Sequence, residues 1–74
     1  MKHVIMGVTK NEDFASFDRE LELSLSELTL IMGWRADDDC LYDYLLTKQQ
    51  ISELQKYCSF ELPSNLDLYL TCNN

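Results

Sequence analysis

Glycine and proline are nearly missing, with two glycines and one proline in 74 residues. Nothing in such a chain reads as a flexible linker or low-complexity segment, and most of it belongs in regular elements with short connections. Basic residues are also scarce: six Lys and Arg stand against thirteen Asp and Glu, for a formal charge of −7. Phosphate backbones and anionic membrane surfaces both require Lys and Arg, so the balance argues against either as a direct partner. It suits a basic partner, or simply solubility. Histidine is reduced to His3 beside the terminus, where an exposed or strand-end role is expected rather than proton transfer. No serine or cysteine has a sequence-visible base, and the glycines are too few for a phosphate-cradling loop, so the chain is not expected to be an enzyme. Three cysteines (Cys40, Cys58 and Cys72) and His3 give the tally for zinc, but no CxxC or HxxxH pair supplies the spacing. Asp37, Asp38 and Asp39 are consecutive, whereas a calcium loop needs oxygens at alternate positions, a glycine and a distant bidentate acid. No metal and no cofactor are expected. The opening lacks the apolar core of a secretory signal, no window approaches a membrane span, and the odd cysteine count reads as free thiols; a cytoplasmic location is expected.

What is present reads as one domain over residues 1–74, close to the lower size limit for a single core. His3–Thr9 is rich in Val, Ile and Met and reads as a strand, followed by the polar hairpin loop Lys10–Asp13. Ser16–Glu22 alternates, with Phe17, Arg19 and Leu21 on one face and Asp18, Glu20 and Glu22 on the other. Ser24 and Glu27 form a capping box for a helix carrying Leu25, Leu28 and Met32 as its apolar stripe, with Gly33 closing it. After a turn over Arg35–Asp39, Leu41–Leu45 alternates as a third strand. Either Leu41, Asp43 and Leu45 or Tyr42, Tyr44 and Leu46 would face the core. Thr47 and Gln50 form a second capping box, and Ile51, Leu54 and Cys58 carry a second helix to about Tyr57 or Cys58. Leu66–Cys72 closes the chain as a strand, with Leu66, Leu68, Leu70 and Cys72 on one face. The expected fold is α+β, in the order β-β-α-β-α-β, with two helices packed on a mostly antiparallel four-stranded sheet.

The stretch Gly33–Tyr44, GWRADDDCLYDY, joins the two helix signals and concentrates features suited to contact. It holds the single tryptophan, three consecutive aspartates, Asp43, and two tyrosines at period two. The plain alternative is a solvated turn leading into a strand whose aromatics are core. Between Asn11 and Leu45 lie ten acids (Glu12, Asp13, Asp18, Glu20, Glu22, Glu27, Asp37, Asp38, Asp39, Asp43) and only two bases, Arg19 and Arg35. Along one strand face Asp18, Glu20 and Glu22 would stand about 6.5–7 Å apart, near the phosphate interval of a nucleic-acid strand. A solvated edge charged against edge-to-edge pairing accounts for the same row. With Trp34, Tyr42 and Tyr44 the acids form a steering field around aromatic anchors, the arrangement expected of an inhibitor of a basic protein such as a nuclease.

A strand, a hairpin and a capped helix are followed by LYDYLLTKQQISELQKY (Leu41–Tyr57) and the closing LDLYL (Leu66–Leu70). In this order the chain resembles small bacterial immunity proteins of contact-dependent growth-inhibition and polymorphic toxin systems. The resemblance implies a role class, neutralising a cognate toxin domain by occluding its active site or substrate channel. It implies no cofactor and no active-site residues to carry over. The expected contact surface is Trp34, Asp37, Asp38, Asp39, Tyr42, Asp43 and Tyr44, with Asp18, Glu20 and Glu22 as an adjoining acidic patch. The competing function is an acidic nucleic-acid mimic or regulatory adaptor binding a housekeeping basic protein, which would tolerate several targets where an immunity protein discriminates. An exposed edge strand could also pair two copies in a weak homodimer.

Overall fold

A computed structural model of the chain describes residues 2–73. The elements are β1 (Lys2–Thr9), β2 (Ala15–Glu20), α1 (Leu25–Met32), a 3-10 turn (Asp39–Leu41), β3 (Tyr44–Leu45), α2 (Lys48–Gln55) and β4 (Leu66–Asn73). The strands form one antiparallel sheet in the order β2-β1-β4-β3, and the two helices make the fold α+β as the sequence implied. The first hairpin turns through Asn11, whose φ of 72° is the left-handed region that asparagine tolerates, and Glu12 N–H donates to the Thr9 carbonyl at 3.0 Å. β1 is the inner strand between β2 and β4, so the first and last strands of the chain are direct neighbours.

Both helices start as their sequences dictate. The Ser24 hydroxyl accepts from Glu27 N–H while the Glu27 carboxylate accepts from Ser24 N–H, and Thr47 and Gln50 repeat the exchange for α2. Gly33 closes α1 at φ 71°, donating its N–H to the Thr29 carbonyl. Each helix has only eight residues, too few to persist in isolation, so packing holds them.

Cross-strand pairs place His3, Ile5 and Gly7 of β1 beside Cys72, Leu70 and Leu68 of β4 on one face. That face carries the core: Ile5, Leu68 and Leu70 cluster with Leu28 of α1, Leu54 of α2, and Leu21, Leu46 and Leu62 from the connections. Gly7 sits where space is shortest. A Cβ there would come within 2.7 Å of the Leu66 side chain and 2.9 Å of Phe17 Cβ. Phe17 lies opposite Gly7, packs 6.1 Å from Phe60, and Phe60 in turn carries the Arg19 guanidinium 4.2 Å above its ring.

Four expectations are corrected. The third strand is not Leu41–Leu45 but two residues, because Asp39–Leu41 winds into a 3-10 turn, and Tyr44 with Leu46 faces inward while Asp43 is exposed. β2 ends at Glu20, so Glu22 lies beyond the strand and does not extend the row of Asp18 and Glu20. In α1 Leu25 is 48% exposed; Ile31 joins Leu28 and Met32 on the packed side instead. α2 stops at Gln55, with tight turns carrying the chain past Tyr57 to Cys58. The Gln55 side chain holds the exit, its amide donating to the Phe60 carbonyl and its oxygen accepting from Leu62 N–H at 2.7 Å. All three cysteines are free, with Cys40 buried and Cys58 and Cys72 half-buried; burial pushes the Cys58 thiol up against a smaller lowering by the Arg19 charge. Among the described residues no helix is long and apolar enough to cross a membrane.

Candidate functional site

The aspartate stretch is a loop pinned from beneath. Asp39 turns its carboxylate back along the chain and accepts from the backbone N–H groups of Arg35 at 2.9 Å and Ala36 at 3.0 Å. Those two bonds, Arg35 first, hold the Asp39 carboxyl below the usual carboxylate range against a smaller opposing effect of desolvation. The Tyr44 hydroxyl donates to the Asp39 carbonyl at 2.6 Å. Burial raises the Tyr44 hydroxyl above the usual tyrosine range, and the Asp39 charge adds to the shift. On the other side His3 Nε2 meets the Cys40 carbonyl at 3.0 Å, and the Cys40 thiol reaches the Asp37 carbonyl at 3.4 Å.

Of the two roles expected for His3, exposed or strand-end, the second holds: it lies near the start of β1, buried beneath this loop. Trp34 packs between His3 and Tyr44, with ring centroids 5.7 Å and 5.8 Å away in tilted arrangements, and leans on the core cluster. Its indole nitrogen is buried with no hydrogen-bond partner among the described residues. The Tyr44 hydroxyl is nonetheless its neighbour, and against the larger upward effect of burial Trp34 pulls the Tyr44 titration down. The aromatic set thus divides. Trp34 and Tyr44 are half-buried supports, and Tyr42 stands 57% exposed above them.

The acids divide as well. Asp37, Asp38 and Asp43 are exposed around Tyr42, whereas Asp39 is half-buried and committed to the turn. Asp18 and Glu20 lie across the sheet on β2, the opposite edge from β3, so about three strand spacings, or roughly 14 Å, separate the two acidic groups. They do not merge into one patch. Glu20 also takes the Lys2 ammonium at 3.9 Å. Glu22 lines a separate cleft of about 270 Å³ with Arg19, Tyr57, Cys58 and Phe60. Among the described residues no three His, Cys, Asp or Glu side chains converge as a metal site would need.

Two features escaped the sequence. The role of Asp39 was hidden because an aspartate accepting from backbone three and four residues earlier looks like any member of an acidic run. The second is the uncovered side of the sheet, where Met6, Val8 and Tyr69 lie outside the core cluster. Its trace in the sequence was the unbroken run HVIMGV in β1, apolar on alternate residues of both faces.

No curated protein and no solved structure matches this chain. A family model matches residues 3–71, nearly the whole of it, and the chain belongs to the family described as domain of unknown function DUF7683.

Proposed function

We propose that this domain is a non-catalytic binding module that neutralises a basic protein, a cognate bacterial toxin domain of nuclease type, through the aspartate loop. The observation that carries the reading is the pairing of exposure with anchorage. Asp37, Asp38, Asp43 and Tyr42 are open to solvent, while Asp39, Tyr44 and His3 fix the backbone that bears them. Only Glu20 and Glu53 form ion pairs among the described residues, so the loop carboxylates keep their charge available. A loop already held in one shape loses little freedom on binding, and its field raises the encounter rate with a basic partner. Tyr42 is the aromatic anchor of that contact, and Trp34 and Tyr44 act through the support they give it.

The test begins with capture from a lysate of the source cell by tagged protein at low and moderate salt. One basic toxin domain retained through moderate salt is the expected catch; many basic proteins washing off together would sink the reading in favour of generic charge. With that partner, Asp37→Asn, Asp38→Asn and Asp43→Asn combined should slow association about tenfold at low salt and flatten its salt dependence. An unchanged association rate would remove the loop from the contact.

A further inference from the structure

The uncovered face of the sheet is built for an occupant. Its rows follow from the pairing: Glu20, Val4 and Thr71; then Asp18, Met6, Tyr69 and Leu45; then Val8 beside Asp67. The centre is therefore apolar at Val4, Met6 and Val8 of β1, with Asp18 and Glu20 along the β2 side and Thr71, Tyr69 and Asp67 along β4. Val4 is buried yet belongs to no part of the core beneath the helices, and Leu45 is 59% exposed at the far edge. An antiparallel sheet with one face in water ordinarily alternates apolar and polar residues along each strand. β1 breaks that alternation, carrying the pattern of a strand covered on both sides, while both helices cover only one.

We propose that this face docks a basic amphipathic helix of a partner protein, lying along β1 with its apolar stripe on Val4, Met6, Val8 and Tyr69. The dimensions fit. Val4 to Val8 spans about 13 Å of strand, equal to about two and a half helical turns. The β2-to-β4 distance is about 10 Å, the width of one helix with its side chains. Lys or Arg on the helix flanks would reach Asp18 and Glu20 on one side and Asp67 on the other, their methylene stems lying over the apolar floor. Charge selects this occupant over a second copy of the chain. Among the described strand residues Lys2 is the single cation on this face and already meets Glu20, so two such faces stacked together would set acid against acid. The surface differs from the aspartate loop, and the inference does not rest on the toxin reading.

The test uses the full chain, isotopically labelled, titrated with a synthetic peptide of about fourteen residues, or four turns, carrying a leucine stripe flanked by lysines. Saturable amide shifts centred on Val4, Met6, Val8 and Tyr69 are expected, and a scrambled peptide of the same composition should bind at least about tenfold more weakly. Met6→Thr should weaken the helical peptide by a similar factor. Asp18→Lys, at an exposed site beside Met6, should weaken it likewise and serves as the test if the first variant unfolds. Asp37→Asn, Asp38→Asn and Asp43→Asn combined, which remove only long-range attraction, should weaken the peptide far less than Met6→Thr does. The inference falls if the scrambled peptide binds equally, if shifts gather at the aspartate loop, or if none appear at millimolar peptide. It also falls if the Met6 signals move with protein concentration alone, because a second copy would then be the occupant.

Discussion

Asp39 shows how one member of an acidic run can differ from its neighbours in kind. Asp37 and Asp38 stand in water, but Asp39 binds two backbone N–H groups and is the residue that shapes the loop. Its charge strengthens both bonds, so the contribution depends on ionisation. The folded carboxyl titrates below the unfolded one. Stability from this residue is therefore complete above the ordinary aspartate range, near pH 4, and disappears as the pH falls through the lowered folded value. Asp39→Ala should lower the melting temperature at pH 7, and the gap to the parent should close on acidification toward pH 2. A gap that stays constant across that range would mean that the side chain packs rather than caps. Asp38→Ala is the matched control and should change neither quantity.

At the scale of elements, the helix starts were the most legible part of the chain, because capping is local chemistry within four residues. Ser24 with Glu27 and Thr47 with Gln50 were readable from spacing alone, and so was Gly33 as the stop. The ends governed by distant packing were not. Nothing within LYDYLL says that Asp39–Leu41 will coil into a 3-10 turn, since that depends on Tyr44 and His3 reaching in from other elements. The site was legible to the same degree. Composition pointed to the loop as a candidate, but only the packing of Trp34 against His3 and Tyr44 separated half-buried supports from exposed side chains. Since both helices are short, their caps carry a large share of their local stability. Ser24→Ala and Thr47→Ala should each cost about 1 kcal/mol, and Ser24→Gly only a few tenths. The two sites share no partner, so the double variant should lose about 2 kcal/mol. Urea unfolding would register each loss as a lower midpoint at constant slope; a coupled loss well beyond the sum would mean that one helix cannot stand without the other.

The whole molecule sets a small single core against a large surplus of one charge. The core lies between one face of the sheet and two short helices, and its fully buried side chains are Ile5, Leu28, Leu54, Leu68 and Leu70. The formal charge of −7 already counts every base, and among the described residues only Lys2 with Glu20 and Lys56 with Glu53 form ion pairs, both at the surface, where such pairs contribute little. Mutual repulsion of the remaining carboxylates then works against the compact state. Raising the ionic strength from about 0.01 M to 0.1 M shortens the screening length from about 30 Å to 10 Å, comparable with the spacing between separate acidic groups. Screening should consequently stabilise this fold. A gain of about 1 kcal/mol moves the midpoint of a domain this size by about 4–8 °C, and an upward shift of that order at pH 7 is expected by circular dichroism. Chloride salts of sodium and potassium should act alike, since screening depends on ionic strength and not on the ion. If the midpoint instead falls with salt, attraction outweighs repulsion in the folded chain, and the acids would then be serving its own architecture rather than standing available to a basic partner.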